Sequence, residues 1–358
     1  MKKTLTCLSL ALAPLASTSG GWFTGAQEAE FTGEAISADD ILVQTYQLAY
    51  SGTEGPWTFD LGMGWTEYDL DYSPVLFGTA EQLSENTRSL NLSLTHKWNQ
   101  EWSGTLRLNA YEGYSDYRSI WIAEFYNQFY GAFPDYYDPD PHGRSAGLTA
   151  EWNYLPNSGK ATFSFDFGRD EIAPGWSFDS AAGKPAPSRE SLDTASGGIR
   201  VEQSLNGWLK SELDLTVRQT SAREPRYGIR NSWVAAAGPV ALRLTAGYTE
   251  ESPSFDATYG SALAEWAFMP QWSAHVGYRI YADSGEIESS GFNALAPALD
   301  STEIFAGLLW DRGDLAISGG VGFLETDYEP LSEDNKFFGN LYRDREWWTF
   351  RLAASFRF

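Results

Sequence analysis

From residue 29 to the last residue, much of the chain alternates between apolar and polar positions. Leu90, Leu92 and Leu94 oppose Ser89, Asn91 and Ser93, and Phe163, Phe165 and Phe167 oppose Ser164 and Asp166. Leu213, Leu215 and Val217 oppose Glu212, Asp214 and Thr216, and Leu242, Leu244 and Ala246 oppose Arg243, Thr245 and Gly247. A period of two marks strands with two unlike faces. The closing segment "REWWTFRLAASFRF" (345–358) keeps the pattern to the end, with Phe350, Leu352, Ala354, Phe356 and Phe358 on one face and Arg351, Ala353, Ser355 and Arg357 on the other.

Strands of roughly ten residues are predicted near 41–50, 57–70, 87–98, 102–114, 144–154, 160–170, 192–203, 208–220, 227–237, 239–250, 255–268, 272–283, 302–311, 315–327 and 346–358. "AEFTGEAIS" (29–37) supplies a sixteenth. Fourteen is the alternative count, if the residues up to Pro56 lie outside the wall. A weak internal repeat organises them. "YSGTEGPWTFDLGMGW" (50–65), "HKWNQEWSGTLRLNAY" (96–111), "QSLNGWLKSELDLTV" (203–217) and "AFMPQWSAHVGYRIY" (267–281) each give a tight turn, a Trp and an alternating strand. "LPNSGKATFSFDF" (155–167), "AAGPVALRLTAGY" (236–248) and "WDRGDLAISGGVGF" (310–323) repeat the plan without the Trp after the turn. Tight turns thus alternate with segments that are mostly longer and more acidic, as in an antiparallel up-and-down barrel with short periplasmic turns and longer outer loops. The polar faces carry charge of both signs, which a sandwich core would not tolerate unpaired but a water-filled lumen would. An all-β, transmembrane antiparallel β-barrel follows, wide enough to hold a lumen rather than a packed core.

Composition sharpens this reading. Aromatics are 15% of residues, with 15 Trp, 19 Tyr and 21 Phe, enough for the two interfacial girdles of such a barrel. The mean hydropathy of −0.36 suits strands that give only alternate residues to lipid. The opening "MKKTLTCLSLALAPLAS" has Lys2 and Lys3, an apolar run and then small residues, and reads as a signal peptide over 1–26 with cleavage between 16 and 26. Residues 27–358 then form a single barrel domain. Cys7, the one cysteine, falls within that signal, so no disulfide is expected. The net charge of −23 argues against nucleic acid and against anionic lipid surfaces as partners, since both demand basic patches.

The chain's ending resembles the C-terminal strand of Gram-negative outer-membrane β-barrel proteins, where a final aromatic with apolar residues at alternate positions before it is read by the barrel-assembly machinery. Phe350, Phe356 and Phe358 hold the corresponding positions. Phrases such as "GYSDYRSIWIAEFYNQFYG", "GYRIYADSGEIESS" and "NLYRDREWW" are similar to those of porin-like proteins of that class, over most of the mature chain. The resemblance implies residence in the bacterial outer membrane, with lipid and the assembly machinery as partners; it implies no activity.

The segment 115–143 is the longest connection. Trp121, Phe125 and Phe129, with Ile122 and Tyr126 one step along, fit the stripe of a short amphipathic helix near 119–130. Such a loop narrows the lumen or packs as a lid, on itself or on a neighbouring subunit of a homo-oligomer. "DPDPHG" (138–143) begins like a calcium loop, but Thr149 stands where a bidentate Glu is required. Asp135, Asp138 and Asp140 are a weak divalent-ion candidate against the simpler reading of solvated acids. On the polar faces, Arg107, Arg243, Arg279, Arg351 and Arg357 share parity with Asp60, Asp166, Glu212, Asp214 and His275, as candidate lumen-lining charges that sort solutes. Cross-strand ion pairing that only stiffens the wall is the plainer alternative for each.

The first functional expectation is a passive porin-like channel for small solutes, without cofactor. The second is a non-conducting surface or assembly barrel that binds a partner or divalent ions through acidic loops. A rim enzyme is the third and weakest. It would rest on His142, because His96 and His275 lie beside predicted periplasmic turns and no nucleophile, phosphate-loop or zinc motif is present.

Overall fold

The computed structural model describes residues 25–75, 80–132, 141–179, 184–221, 223–285, 296–331 and 336–358, with backbone alone at 129–130, 172–179 and 184–190. The proposed signal peptide falls almost wholly outside the described residues. Sixteen strands follow: β1 Gln27–Ser37, β2 Ile41–Glu54, β3 Trp57–Tyr72, β4 Glu81–Lys97, β5 Trp102–Glu112, β6 His142–Leu155, β7 Gly159–Asp179, β8 Lys184–Ser204, β9 Leu209–Thr220, β10 Arg226–Ala237, β11 Val240–Glu251, β12 Phe255–Met269, β13 Trp272–Asp283, β14 Leu299–Asp311, β15 Leu315–Tyr328 and β16 Arg345–Arg357. One helix, α1 (Tyr117–Tyr130), lies between β5 and β6. Each strand pairs antiparallel with its sequence neighbours, and β16 pairs with β1 to close the barrel. Main-chain bonds of 3.0 Å run both ways between Gln27 and Phe358 at the seam.

The count of sixteen is met, with 29–37 as the first strand. The tight turns predicted from the repeat all join strands at the end that carries both termini, which is the periplasmic end. The outer connections are mostly longer, as expected, but not uniformly so. Those at 73–80, 113–141, 284–298 and 329–344 are long, but those at 38–40 and 252–254 are as tight as the periplasmic ones. β7 and β8 also run well past the predicted 160–170 and 192–203. Pro174, Pro185 and Pro187 suggest an end to pairing there, yet each has a partner in register beyond a bulge at Glu171–Ala173.

Cross-strand partners share a face, so one assignment fixes every side chain's orientation. Asp60, Ser93, Arg107, Gly147 and Asp166 form one such row, and they face the lumen. The opposite face is apolar: Leu90, Leu106, Leu148, Phe165, Val276 and Leu352 are exposed on it. The Trp residues after the turns close this band at its periplasmic edge. Trp57 lies 4.1 Å from His96 between ring centroids, and Trp102 stacks on Trp152 at 5.6 Å and 8°. No helix among the described residues is long and apolar enough to cross a membrane; the strands cross it.

Leu148, 60% exposed and midway between Trp152 and Arg144 on the outer face of β6, tests the assignment. Leu148→Arg is expected to cost about 2–4 kcal/mol of folding free energy in lipid vesicles, the price of a cation at mid-bilayer. Asn91→Arg, on the lumen face of β4, is expected to stay within about 0.5 kcal/mol. Equal costs would overturn the assignment, and a larger cost at Asn91 than at Leu148 would reverse the faces.

Candidate functional site: the lumen wall and its mouth

The lumen wall is built by parity and by glycine. Arg107 on β5 and Asp166 on β7 are separated by β6, and the position between them is Gly147. A Cβ at Gly147 would overlap the Asp166 carboxylate, so its absence lets the Arg107 guanidinium reach across, with Nη2 at 2.8 and 3.0 Å from the two carboxylate oxygens. On the next strands Asp214 stands between Arg200 at 3.2 Å and Arg230 at 2.6 Å, and Glu212 lies 3.4 Å from each arginine. Lys160 contacts Glu202 at 2.9 Å and Glu151 at 3.6 Å. Arg279 meets Glu303 at 2.8 Å with its guanidinium 4.4 Å above the Phe305 ring. These pairs are half-exposed to lumen water, so each is worth only about 0.2–1 kcal/mol. Their larger effect is to fix charge in position along the wall.

The candidate lumen residues all take that face, but in different circumstances. Arg107 and Asp166 are brought together; Asp214 and Arg279 are paired with residues not singled out from sequence. Asp60 accepts a hydrogen bond of 2.5 Å from the Ser93 hydroxyl, and Arg357 reaches Glu28 at 3.3 Å and Asp311 at 3.7 Å. The His275 ring fills the space left by Gly307 and lies 6.1 Å from Phe305. Arg243 and Arg351, with Arg218, are exposed and have no charged partner among the described residues.

Toward the outer end the lumen face changes character. On β3 it reads Asp60, Gly62, Gly64 and Thr66, then Tyr68, Leu70 and Tyr72, and these last three are buried. They are covered by α1. Asp116 caps the helix, accepting from the Ser119 amide at 2.8 Å, and the segment before it is held by the Tyr68 hydroxyl, which donates to the carbonyls of Tyr114 at 3.3 Å and Ser115 at 3.2 Å. Ile120, Trp121, Ile122 and Ala123 are consecutive and all buried, which no helix on an open surface could achieve. Trp121 packs on Tyr72 at 4.8 Å, Tyr117 on Trp347 at 5.7 Å, and Phe125 on Phe338 at 5.0 Å from the connection between β15 and β16. The helix therefore stands inside the mouth, against one sector of wall formed by β15, β16 and β1–β3. Trp121, Phe125 and Tyr126 belong to its packed core or border it, rather than lining open space. Nothing is described of the Phe129 side chain, and Asp135, Asp138 and Asp140 lie outside the described residues. His142 points outward and lies 3.5 Å from Glu171.

Beneath the helix N-terminus the lumen stays open as a cavity of about 630 Å³. It reaches from Val43 and Thr45 on β2, past Asp116 and Arg118, to Tyr281 and Asp283 on β13. Its walls mix aromatic rings (Tyr68, Tyr117, Tyr328, Trp347) with hydroxyls and both signs of charge. Burial pushes the Tyr117 hydroxyl well above the ordinary tyrosine range, so it stays neutral.

One buried charge ties the mouth together. Arg345, at the top of β16, uses every guanidinium nitrogen. Nε and Nη2 grip both oxygens of Asp40 at 3.0 Å, Nη1 reaches the carbonyls of Leu341 at 2.6 Å and Arg343 at 3.2 Å, and Nη2 also reaches that of Asn340 at 2.7 Å. Arg343 adds a second contact to Asp40 at 2.9 Å. The clamp joins the β1–β2 turn to the β15–β16 connection, which carries Phe338, Leu341 and Tyr342 against α1. Sequence reading missed it because Asp40 and Arg345 are 305 residues apart. The apolar turn of β3's lumen face at Tyr68–Tyr72 was the available signal that something is inserted there.

The clamp has a pH dependence of definite sign. Burial alone would raise the Asp40 pKa, but its bonds to Arg345 and Arg343 outweigh that and hold it below the ordinary 3.8. A depressed carboxyl contributes stability that is present above its unfolded pKa and lost as pH falls through the folded one. The 329–344 connection is therefore expected to resist proteolysis equally from pH 8 to 5 and to lose protection only below about 3.8. Arg345→Gln is expected to expose it at all pH, at a cost near the lower end of about 3–5 kcal/mol, because Asp40 keeps only its contact to the more exposed Arg343.

No protein-family model matches the chain, and no curated protein matches it in sequence. Solved structures do match in shape. A bacterial polysaccharide outer membrane secretin is 9% identical with a TM-score of 0.53, over 93% of this chain and 98% of the other. OprB of Pseudomonas putida, in its low-pH structure, is 11% identical with a TM-score of 0.50, over 93% of each chain. CdiB of Acinetobacter baumannii is 11% identical with a TM-score of 0.53, over 93% of this chain and 60% of that one. At these identities the likeness is one of fold, and that fold is the closed β-barrel of the bacterial outer membrane.

Proposed function

We propose that the protein is a passive channel for small polar solutes, narrowed at its outer mouth by α1. The observation that carries this reading is the contrast along the lumen: a polar wall set with fixed charges of both signs, giving way at the mouth to a packed cluster that, among the described residues, occupies one sector. The open cavity beside that cluster is the route. Solutes entering it meet aromatic faces and hydroxyls before they reach the charged wall, an order that suits polar molecules carrying a ring or an apolar face. Further in, Arg218 and Arg243 supply cation density on β9 and β11, while Glu30, Glu34 and Asp60 supply anions on β1 and β3, roughly half the circumference away. Such opposed charges order water and discriminate solutes by sign and dipole.

A non-conducting surface barrel is the second reading, and the burial of Ile120–Ala123 against Leu70 and Leu341 is what favours it, since that cluster resembles a small core more than a flexible gate. The two differ in planar bilayers. A channel gives stable stepwise conductance. Deletion of 117–130 is then expected to raise the step, and Arg218→Glu with Arg243→Glu to shift ion preference toward cations. Silence of the intact protein across voltage and salt, with conductance appearing only after the deletion, selects the second reading.

A further inference from the structure

The outer surface carries a feature that the channel reading does not use. On the lipid-facing parity of β4, the residues from the periplasmic edge run His96, Leu94, Leu92, Leu90 and then Arg88. On β6 they run Trp152, Ala150, Leu148, Ala146 and then Arg144; on β7, Ala161, Phe163, Phe165, Phe167 and then Arg169. Each arginine is thus the first charged residue beyond the apolar run on its strand, at the outer-leaflet edge of the band. Together they line a groove of about 690 Å³ on the outside of the barrel, floored by Leu90 and Ala110.

This is the reverse of the rest of the outer rim. The chain as a whole carries −23, and across the barrel the outward positions at the same end are acidic, with Glu325 directly opposite Glu346 and Asp300 opposite Asp327 in the ladder. Nor are the arginines fully spent on neighbours. The Arg88 guanidinium lies over the Trp65 ring at 4.7 Å, and the indole is itself held by its N–H bond of 3.0 Å to Glu67. Arg144 has no polar partner among the described residues. Arg169 donates to the Ser191 hydroxyl at 2.9 Å, with Asp193 farther off at 3.9 Å. The carboxylates of the groove are Glu112 and Glu171. Glu171 is engaged by His142 at 3.5 Å and lies one step farther from the bilayer than Arg169 on its own strand; Glu112 lies one step farther than Arg144 on β6 and directly opposite Arg88 on β4.

We propose that this groove binds the phosphate group of an outer-leaflet lipid, with the arginines on the phosphate and the acyl chains along Leu108, Leu148 and Phe167 below. The chemistry follows from position. Guanidinium groups present paired N–H donors that match phosphate oxygens, and they are costly to leave at a hydrocarbon edge without an anion. The apolar residues directly beneath make the site one for a lipid, since a free phosphate would use only the charged half. The proposal is independent of whether the lumen conducts.

The test is native mass spectrometry of the intact detergent-solubilised barrel with diphosphorylated lipid A, its dephosphorylated form and inorganic phosphate as separate probes. The expected result is retention of the diphosphorylated lipid, at least about tenfold weaker retention of the dephosphorylated one, and a similar loss in the Arg88→Gln/Arg144→Gln/Arg169→Gln variant. A Glu325→Gln/Glu346→Gln control should bind as the parent does. If the triple variant loses its heat-resistant folded band on gels, Arg144→Gln alone serves, because that side chain makes no contact the fold needs. Equal retention of both lipids, unchanged binding in the variants, or saturation by inorganic phosphate without competition from the lipid would each overturn the proposal.

Discussion

A chain that crosses hydrocarbon in strands must leave no ladder open. Each unpaired main-chain group in the bilayer costs several kcal/mol, so a sheet can cross only when it closes on itself. Here closure depends on β1 and β16, paired from Glu28–Arg357 to Ser37–Trp348 and locked by the reciprocal bonds between Gln27 and Phe358. The register of that seam fixes which residues face lipid around the whole circumference. It therefore decides at once where the apolar band, the lumen charges and the rim arginines lie.

With closure satisfied, the wall has freedom in what it shows the lumen, and the sequence uses small residues for this. Gly147 lets an ion pair cross an intervening strand, and Gly247 and Gly277 receive the rings of Tyr259 and Phe305. Large and small side chains thus alternate across neighbouring strands, as they would in a packed core, yet the face they form is set with close ion pairs that stay partly exposed. The mouth obeys other rules. There Arg345 and Asp40 are removed from water and fully paired, while the Tyr72 hydroxyl and Trp121 Nε1 are buried without partners among the described residues. Satisfied charge beside unsatisfied dipoles makes the plug well anchored at its base and less settled around the helix.

The two faces of the barrel also divide the electrostatics. Inside, opposite charges mostly neutralise one another at close range, and only a few cations and anions are left to act on solutes. Outside, charge is segregated by sector, with arginines beyond the band on β4, β6 and β7 and carboxylates on β14–β16. A uniformly acidic rim would repel anionic headgroups on every side; the segregation gives the barrel one side that attracts them.

The sequence by itself determined most of the strands, their number to within one pair, the tight turns at one end and the parity of nearly every side chain, because period-two alternation is a local property that survives without knowledge of the partners. Arg107, Asp166, Asp214, Arg279 and Arg351 could be assigned to the lumen on that basis, and a helix near 119–130, observed over Tyr117–Tyr130, was visible in its aromatic spacing. Where that helix goes was not. The same residues, Trp121 and Phe125, fit a free constriction, a lid or a packed plug equally well, and only the faces of β3 and β16 brought against them made them core. The Asp40–Arg345 clamp and the grouping of Arg88, Arg144 and Arg169 were likewise decided by tertiary structure. Each joins positions far apart in the chain, and their nearness depends on register summed around a closed ring, which no local pattern encodes.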